Sequence, residues 1–217
     1  MATAPALCDD RFSMDSLLES ETPRRRGRQR STKVQEAVLS ATWKLLEKHR
    51  LTEISADAIA QKVKVSKATL YKWWPNKSLI AVEAFEAKMH SFVAMPDTGS
   101  AREDFLEHLC ATIDFYKSWS GDLICQFIAE GQRSPEFLAI FRERFIDRRR
   151  DGPRLMWQRA VDRGQIRGDV DLELFLDLIY GPMIYRLLVG HGPLDHAEAA
   201  AIIKAVFRAV GSESEND

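Results

Sequence analysis

Short polar side chains stand before the chain's apolar runs at the spacing that closes a helix N-terminus, and this punctuation restricts the fold to helices. Thr32 with Gln35, Ser100 with Glu103 and Asp195 with Glu198 have the i, i+3 spacing of a capping box. Ser55, Ser66, Asn76 and Asp171 each precede a helical segment, and Ser134-Pro135-Glu136 joins a cap, a first-turn proline and an acidic first turn. Pro75, Pro96 and Gly211 supply stops. Helices are predicted over about 33–49, 56–63, 67–73, 76–95, 100–118, 122–132 and 135–163, the last with a kink or split at Gly152-Pro153. Two more run from Asp171 to a turn at 190–193, with Gly181-Pro182 inside, and from Asp195 to Gly211. No segment alternates with period two for long enough to make a strand. The expectation is an all-α chain of about nine helices, three short ones first.

The net charge of −1 conceals a segregation. Residues 24–80 carry fourteen Lys/Arg against four Asp/Glu; residues 81–217 carry sixteen against twenty-three, and residues 1–23 one against five. A basic unit joined to an acidic one points to a polyanion for the basic part alone, the plainer reading being a solvated basic face. Residues 1–23 keep no sustained period and read as a disordered acidic tail, followed by a flexible arm with five arginines between Arg24 and Arg30.

Several chemistries are excluded by what the chain lacks. With 217 residues, 45% hydrophobic and 29% charged, it is long and apolar enough to bury a core. Cys8, Cys110 and Cys125 are too sparse for a disulfide framework or a zinc cluster. The most apolar stretch, 172–190, is broken by Glu173, Asp177 and Arg186, so no membrane span is expected. Asp9, Asp10 and Asp15 do not fit a signal peptide, and a cytoplasmic location is expected. There is no glycine-rich phosphate loop, GxSxG or HExxH, so neither an enzyme nor a cofactor is expected. His108, Cys110 and Cys125 could suggest a metal or redox switch, but His108 and Cys110, two apart, do not share a helical face.

Two short helices a few residues apart in the most basic stretch have the outline of a helix-turn-helix. In the second, Leu70 and Trp74 lie four apart on the inward face, leaving Lys67, Thr69 and Lys72 outward. A lysine on the leading turn of such a helix reaches guanine O6 or N7 in the major groove.

The run from Ser55 through Ile59-Ala60 to Val65-Ser66-Lys67-Ala68-Thr69-Leu70-Tyr71-Lys72-Trp73-Trp74-Pro75-Asn76-Lys77 resembles the TetR/AcrR family of bacterial transcriptional repressors, over roughly residues 28–85. Ser134-Pro135-Glu136, Arg159 to Gly164 and Tyr180-Gly181-Pro182 to Leu187 look like one C-terminal branch of it. The resemblance implies a three-helix helix-turn-helix head, then a larger helical domain for ligand binding and dimerisation. It implies a head over 24–88, a ligand-binding and dimerisation domain over 89–211, and an acidic tail at 212–217. By it, Lys67, Ala68 and Thr69 lie nearest the base edges behind the Ser66 cap, and Tyr71, Lys72 and Trp73 fall on the DNA side. Tyr71 and Trp73 follow the phosphates, although either aromatic could instead be core. Ser55 and Lys77 meet phosphates at helix starts, and Arg28 and Arg30 enter the minor groove. The sequence departs from the family at Lys64, where a turn glycine is usual; a positive φ there costs lysine about 1 kcal/mol.

The acidic part then carries two expectations. The helices near 172–188 and 201–209 have broad apolar faces, Leu172, Phe175, Leu176, Ile179, Met183 and Leu187 with Ile202, Ala205, Val206 and Ala209. They build either a four-helix homodimer interface or the subunit's own core. Phe92, Phe105, Phe115, Trp119, Phe127, Phe145, Trp157 and Tyr180 are candidate walls for a small-molecule pocket. The expected function is a DNA-binding regulator, a homodimeric repressor freed from a palindromic double-stranded operator by an unidentified small-molecule ligand. The alternative is an enzyme or small-molecule carrier with an incidental basic head.

Overall fold

The computed structural model describes the backbone of residues 25–211 and the side chains of residues 32–211. The expected tails at 1–23 and 212–217 lie outside the described residues. The order is α1 (Arg25–Leu46), α2 (Ala56–Val63), α3 (Lys67–Tyr71), α4 (Lys77–Phe92), α5 (Ala101–Tyr116), α6 (Trp119–Arg133), α7 (Pro135–Phe141), a π-helical turn (Arg142–Asp147), α8 (Arg148–Asp162), α9 (Leu172–Val189) and α10 (His196–Val210). Among the described residues the only sheet-like pairing is one bridge between Ile166 and Gly211. Counting α7, the π turn and α8 as one rod, nine helical rods are described.

The caps close the helices as their chemistry requires. Ser55, Ser66, Asn76, Ser100, Ser134, Asp171 and Asp195 each accept a hydrogen bond from a backbone amide in the first turn of the helix they precede. Three boundaries differ from the sequence reading. The arginine run expected as a flexible arm belongs to α1, which begins at Arg25 because arginine and glutamine are good helix formers. Helix α6 starts at Trp119, three residues early, because the Ser118 hydroxyl serves as its cap. The break expected at Gly152-Pro153 is absent: Pro153 is buried inside α8, and the irregular turn lies upstream at 142–147. That wide turn brings Phe141 and Phe145 into a stacked pair, centroids 5.3 Å apart.

Helix α4 is the shared rod: it packs on α1 in the basic part, and on α5, α7 and the π turn in the acidic part. The boundary expected at residue 88 therefore falls inside a helix. Its Phe85 is fully buried and stands edge-on to Phe115, Phe127 and Phe145, so one apolar core joins both parts. Helix α9 is apolar on two sides. Phe175, Leu176, Ile179 and Met183 are fully buried within this chain, while Leu174, Leu178, Tyr185, Leu188 and Val189 are exposed. Arg150 bridges α8 to Glu173 and Asp177 of α9, and Arg186 ties α9 to Glu198 of α10 at 2.6 Å.

Candidate functional site

The leading turn of α3 is held open by its own side chains. Ser66 Oγ accepts from the Thr69 amide at 3.1 Å and shares a 2.9 Å hydrogen bond with Thr69 Oγ1. Leu70 is fully buried and Trp74 nearly so, which fixes the inward face. Ser66, Lys67, Ala68, Tyr71 and Lys72 are exposed, and Thr69 and Trp73 half-buried. Tyr71, 48% exposed, is not core. Trp73 packs edge-on against Trp74, so this indole leans on the core while keeping one edge outward.

The turn before α3 has the expected strain. Lys64 has φ 56° and ψ 43°, the left-handed conformation, and its amide donates to Gln61 O at 3.3 Å. The Val65 amide donates to Ala60 O at 3.0 Å, completing a Schellman closure of α2. Ser55 Oγ caps the other end of α2, accepting from the Ala58 amide at 3.1 Å, and stays exposed.

Two residues sit differently from the resemblance. Lys77 Nζ is turned back toward its own chain, donating to Ile54 O at 2.8 Å and Thr52 O at 3.4 Å, so it also fastens the loop before α2 to α4. Lys67 Nζ lies 2.7 Å from Asp57 Oδ1, an ion pair between the two short helices. Asp57 carried no sequence signal beyond its place in the first turn of α2. Arg28 and Arg30 stand on the helical backbone of α1, with their side chains outside the described residues.

From α3 a polar path runs into the acidic part. Trp74 Nε1 donates to Glu83 Oε2 at 2.6 Å, and Glu83 Oε1 lies 3.8 Å from Arg144 Nη1 on the π turn. A second link is the Leu51 amide, which donates to Gln126 Oε1 of α6 at 2.9 Å.

Next to Arg144, Phe145 lies in the wall between two cavities. The larger, about 370 Å³ and open to the surface, is bounded by α4, α5, the π turn and α8, with Met89, Val93, Met95 and His108 among its walls. The second, about 230 Å³, is lined by Tyr116, Ile124, Ile128, Phe141, Tyr180 and Ile184. Phe145 and Arg149 border both. Of the eight aromatics expected around a pocket, Phe145 and Tyr180 line these cavities. The others have different partners: Phe105 packs on Phe175 and Phe207, Phe127 on Phe137 and Phe141, and Phe115 and Trp119 on Trp43. Phe92 is 53% exposed on the end of α4, and Trp157 is half-buried on α8. Helical spacing does not distinguish a cavity wall from a close-packed core.

Buried polar groups concentrate at this wall. His108 Nδ1 and the Tyr180 hydroxyl share a 2.8 Å hydrogen bond. Burial, then the Arg149 guanidinium, holds the His108 pKa down at about 3, and burial pushes the Tyr180 hydroxyl upward. The Arg149 guanidinium lies 4.9 Å from the Tyr180 ring centroid and 6.0 Å from that of Tyr116. Sequence reasoning missed Arg149, although a triplet Arg148-Arg149-Arg150 in an acidic domain was the available signal. Cys110 and Cys125 are free and half-buried.

The apolar faces expected to build either a homodimer interface or the subunit's own core are largely spent on the core. Phe175, Leu176, Ile179 and Met183 are wholly buried in their own subunit, and Ile202 and Val206 nearly so, because α9 and α10 turn these faces toward α5 and each other. Leu172 and Leu187 are half-buried; Ala205 and Ala209 are exposed. The uncovered apolar stripe is Leu174, Leu178, Tyr185 and Leu188 on α9, beside Ala201, Ala205 and Ala209 on α10. No helix of the described residues is long and apolar enough to cross a membrane.

Comparison with known proteins agrees with this geometry. Residues 95–206 match the family model described as the tetracyclin repressor-like C-terminal domain. The chain is 33% identical over 190 residues to the HTH-type transcriptional regulator YdeS of Bacillus subtilis, covering 88% of this chain and 96% of that one. It is 27% identical over 172 residues to the DNA-binding transcriptional repressor TetR of Mycobacteroides abscessus, covering 79% and 90%. Among solved structures, the TetR family transcription regulator SCO0332 superposes with a TM-score of 0.76 at 30% identity, over 82% of this chain and 98% of that one.

Proposed function

Because the chain belongs to the TetR family of DNA-binding transcriptional regulators, we propose that it works as a homodimeric repressor that a small molecule releases from a palindromic operator. The observation that carries the reading is the path from cavity wall to recognition helix: Phe145 borders both cavities, Arg144 beside it meets Glu83, and Glu83 accepts from Trp74 behind α3. A ligand that shifts the π turn biases the orientation of α3 through this path, and it releases DNA by binding the misfitting state more tightly.

Within this reading the head at 24–88 binds DNA and the domain at 89–211 binds the ligand and dimerises. Lys67, Ala68 and Thr69 face the base edges. Ser55, Tyr71, Trp73 and Lys72 face the phosphates, with Lys77 near them at the start of α4; Arg28 and Arg30 serve the minor groove. The uncovered stripe Leu174, Leu178, Tyr185 and Leu188, with Ala205 and Ala209, forms the dimer seam, placing two α3 helices about 34–36 Å apart. The protein works in the cytoplasm and needs no catalytic group.

The test has two arms. A duplex selected by the pure protein from a random pool is titrated with wild type and Lys67→Ala, and loss of about 1–3 kcal/mol of discrimination at one base position is expected. Sedimentation of Leu178→Glu/Tyr185→Glu is expected to show a monomer that binds the palindrome weakly. A Lys67→Ala variant that keeps full discrimination, or a double variant that remains dimeric, refutes the corresponding assignment.

A further inference from the structure

Among the described residues, Arg149 is the charge with the least explanation. It forms no ion pair among the described residues, and its Nε and Nη2 are shielded from water with no hydrogen-bond partner. Its neighbours in the triplet differ: Arg150 is paired with Glu173 and Asp177. Of the carboxylates on the larger cavity, Asp151 is paired with Arg154 at 3.3 Å, and neither it nor Glu86 lies within ion-pair reach of Arg149. The His108 ring beside it is neutral near pH 7. The side chain is half-buried, but leaving this shielded edge unpartnered is costly, and no described carboxylate pairs with it to offset the cost.

The two unpartnered nitrogens identify the missing group. Nε–H and the adjacent Nη2–H lie along one edge of the planar guanidinium, the edge that meets the two oxygens of a carboxylate side by side. The rings of Tyr116 and Tyr180 flank the guanidinium, at 6.0 and 4.9 Å. Around the same cavity Met89, Val93, Met95 and Phe145 present an apolar surface. Met95 lies over Gly152 so closely that any Cβ there would displace its thioether. Methionine walls re-pack readily, which lets an entering molecule reach an edge that is sealed in the empty chain.

We propose that this cavity takes an apolar carboxylic acid, its carboxylate on the Nε–Nη2 edge of Arg149 and its body against Met89, Val93, Met95 and Phe145. The proposal rests on the ligand-responsive reading above and supplies the class of ligand. An uncharged molecule of the same shape leaves the guanidinium unpartnered and binds weakly. A cationic one is repelled.

The test uses octanoate with octanamide and 2-naphthoate with 2-naphthamide on the pure full-length chain, by calorimetry and thermal shift, with no DNA present. At least one acid is expected to bind about ten- to a hundredfold more tightly than its amide. Arg149→Met is expected to bring that ratio to about one and to raise the melting temperature of the ligand-free protein, since it removes an unpaired, half-buried charge with two shielded nitrogens. A guanidinium that merely braces the two tyrosines predicts the opposite: a lower melting temperature and an unchanged ratio. Arg149→Lys, which keeps the charge and loses the fork, is expected to fall between. Equal affinity for acid and amide in both pairs, no binding of either acid, or an Arg149→Met protein that keeps the preference overturns the proposal. The release reading is scored separately, by adding the same acids to the protein–duplex complex. Tight acid binding without release supports the ligand class and refutes release.

Discussion

Replacing Lys64 by glycine is expected to stabilise the protein, even though it deletes a side chain from a basic DNA-binding head. Lys64 is the C′ residue of a Schellman closure, at φ 56° and ψ 43°, and the described chain has no other non-glycine residue with positive φ. For a residue with a Cβ that conformation costs about 1–2 kcal/mol. Glycine avoids the cost in the folded state but returns about 0.4–1 kcal/mol through the greater freedom of its unfolded chain. The net gain is therefore about 0.5–1 kcal/mol. For a protein of this length it corresponds to a rise of about 1–4 °C in melting temperature.

The charge must be separated from the backbone. Lys64→Ala removes the ammonium while keeping the Cβ, and the residue is exposed with no ion pair, so its stability should lie within about 0.5 kcal/mol of wild type. The informative quantity is Lys64→Gly minus Lys64→Ala, measured by thermal melting and by urea unfolding. Lys64→Asn should lie between them, since asparagine tolerates the left-handed region better than alanine does. If Lys64→Gly melts no higher than Lys64→Ala, the turn does not carry the strain assigned to it.

Three further outcomes follow from particular contacts. Asp57→Asn frees Lys67 from an exposed pair and removes an anion beside the DNA face; binding to duplex should tighten by up to about fivefold at low salt, read by fluorescence anisotropy. Gly121→Ala drives a methyl into the Tyr116 carbonyl oxygen and against Leu187 Cδ1, with no flexible neighbour to yield to the backbone clash. It should cost about 1–3 kcal/mol in urea unfolding. His108 is held near pKa 3 when folded against 6.5 when exposed, so the unfolded state binds the extra proton first and stability falls as pH drops from 6.5 toward 3. At pH 5 the loss relative to pH 7 is about 2 kcal/mol, and His108→Asn should remove most of that pH dependence.

Local chemistry made the helices legible, and three-dimensional neighbours decided what was not. A cap needs only the residue itself and the three that follow, so Ser55, Ser66, Asn76, Ser100, Ser134, Asp171 and Asp195 were all visible in the chain, whereas Thr32, named on the same spacing, lies inside α1. The strain at Lys64 was visible for the same reason: the turn that imposes it is closed by residues 60–65. The sequence left two uses open for the faces of α9 because the helix is apolar on two sides. Periodicity finds an apolar stripe, but when a helix carries two, only packing decides which is spent on the subunit's own core. The misplaced break shows the same limit, since glycine and proline signal irregularity but the helices packed around α8 determine where the wide turn falls.

The residues joining the two halves were hidden for a stronger reason. Trp74, Glu83 and Arg144 span seventy positions, and Leu51 meets Gln126 across seventy-five, so no local pattern links them. Arg149 is the extreme case. Its importance lies in what it lacks, and a missing counter-ion is apparent only once every carboxylate around it has been placed. In the proposed reading, the ligand site and the DNA site need not resemble each other in sequence. They need a rigid element that both of them touch, and α4 fills that role. It meets Trp74, just past the end of α3, through Glu83, and it forms the cavity wall through Met89, six residues on. The anion proposed beside Arg149 would thus act on a helix that already packs against the basic head.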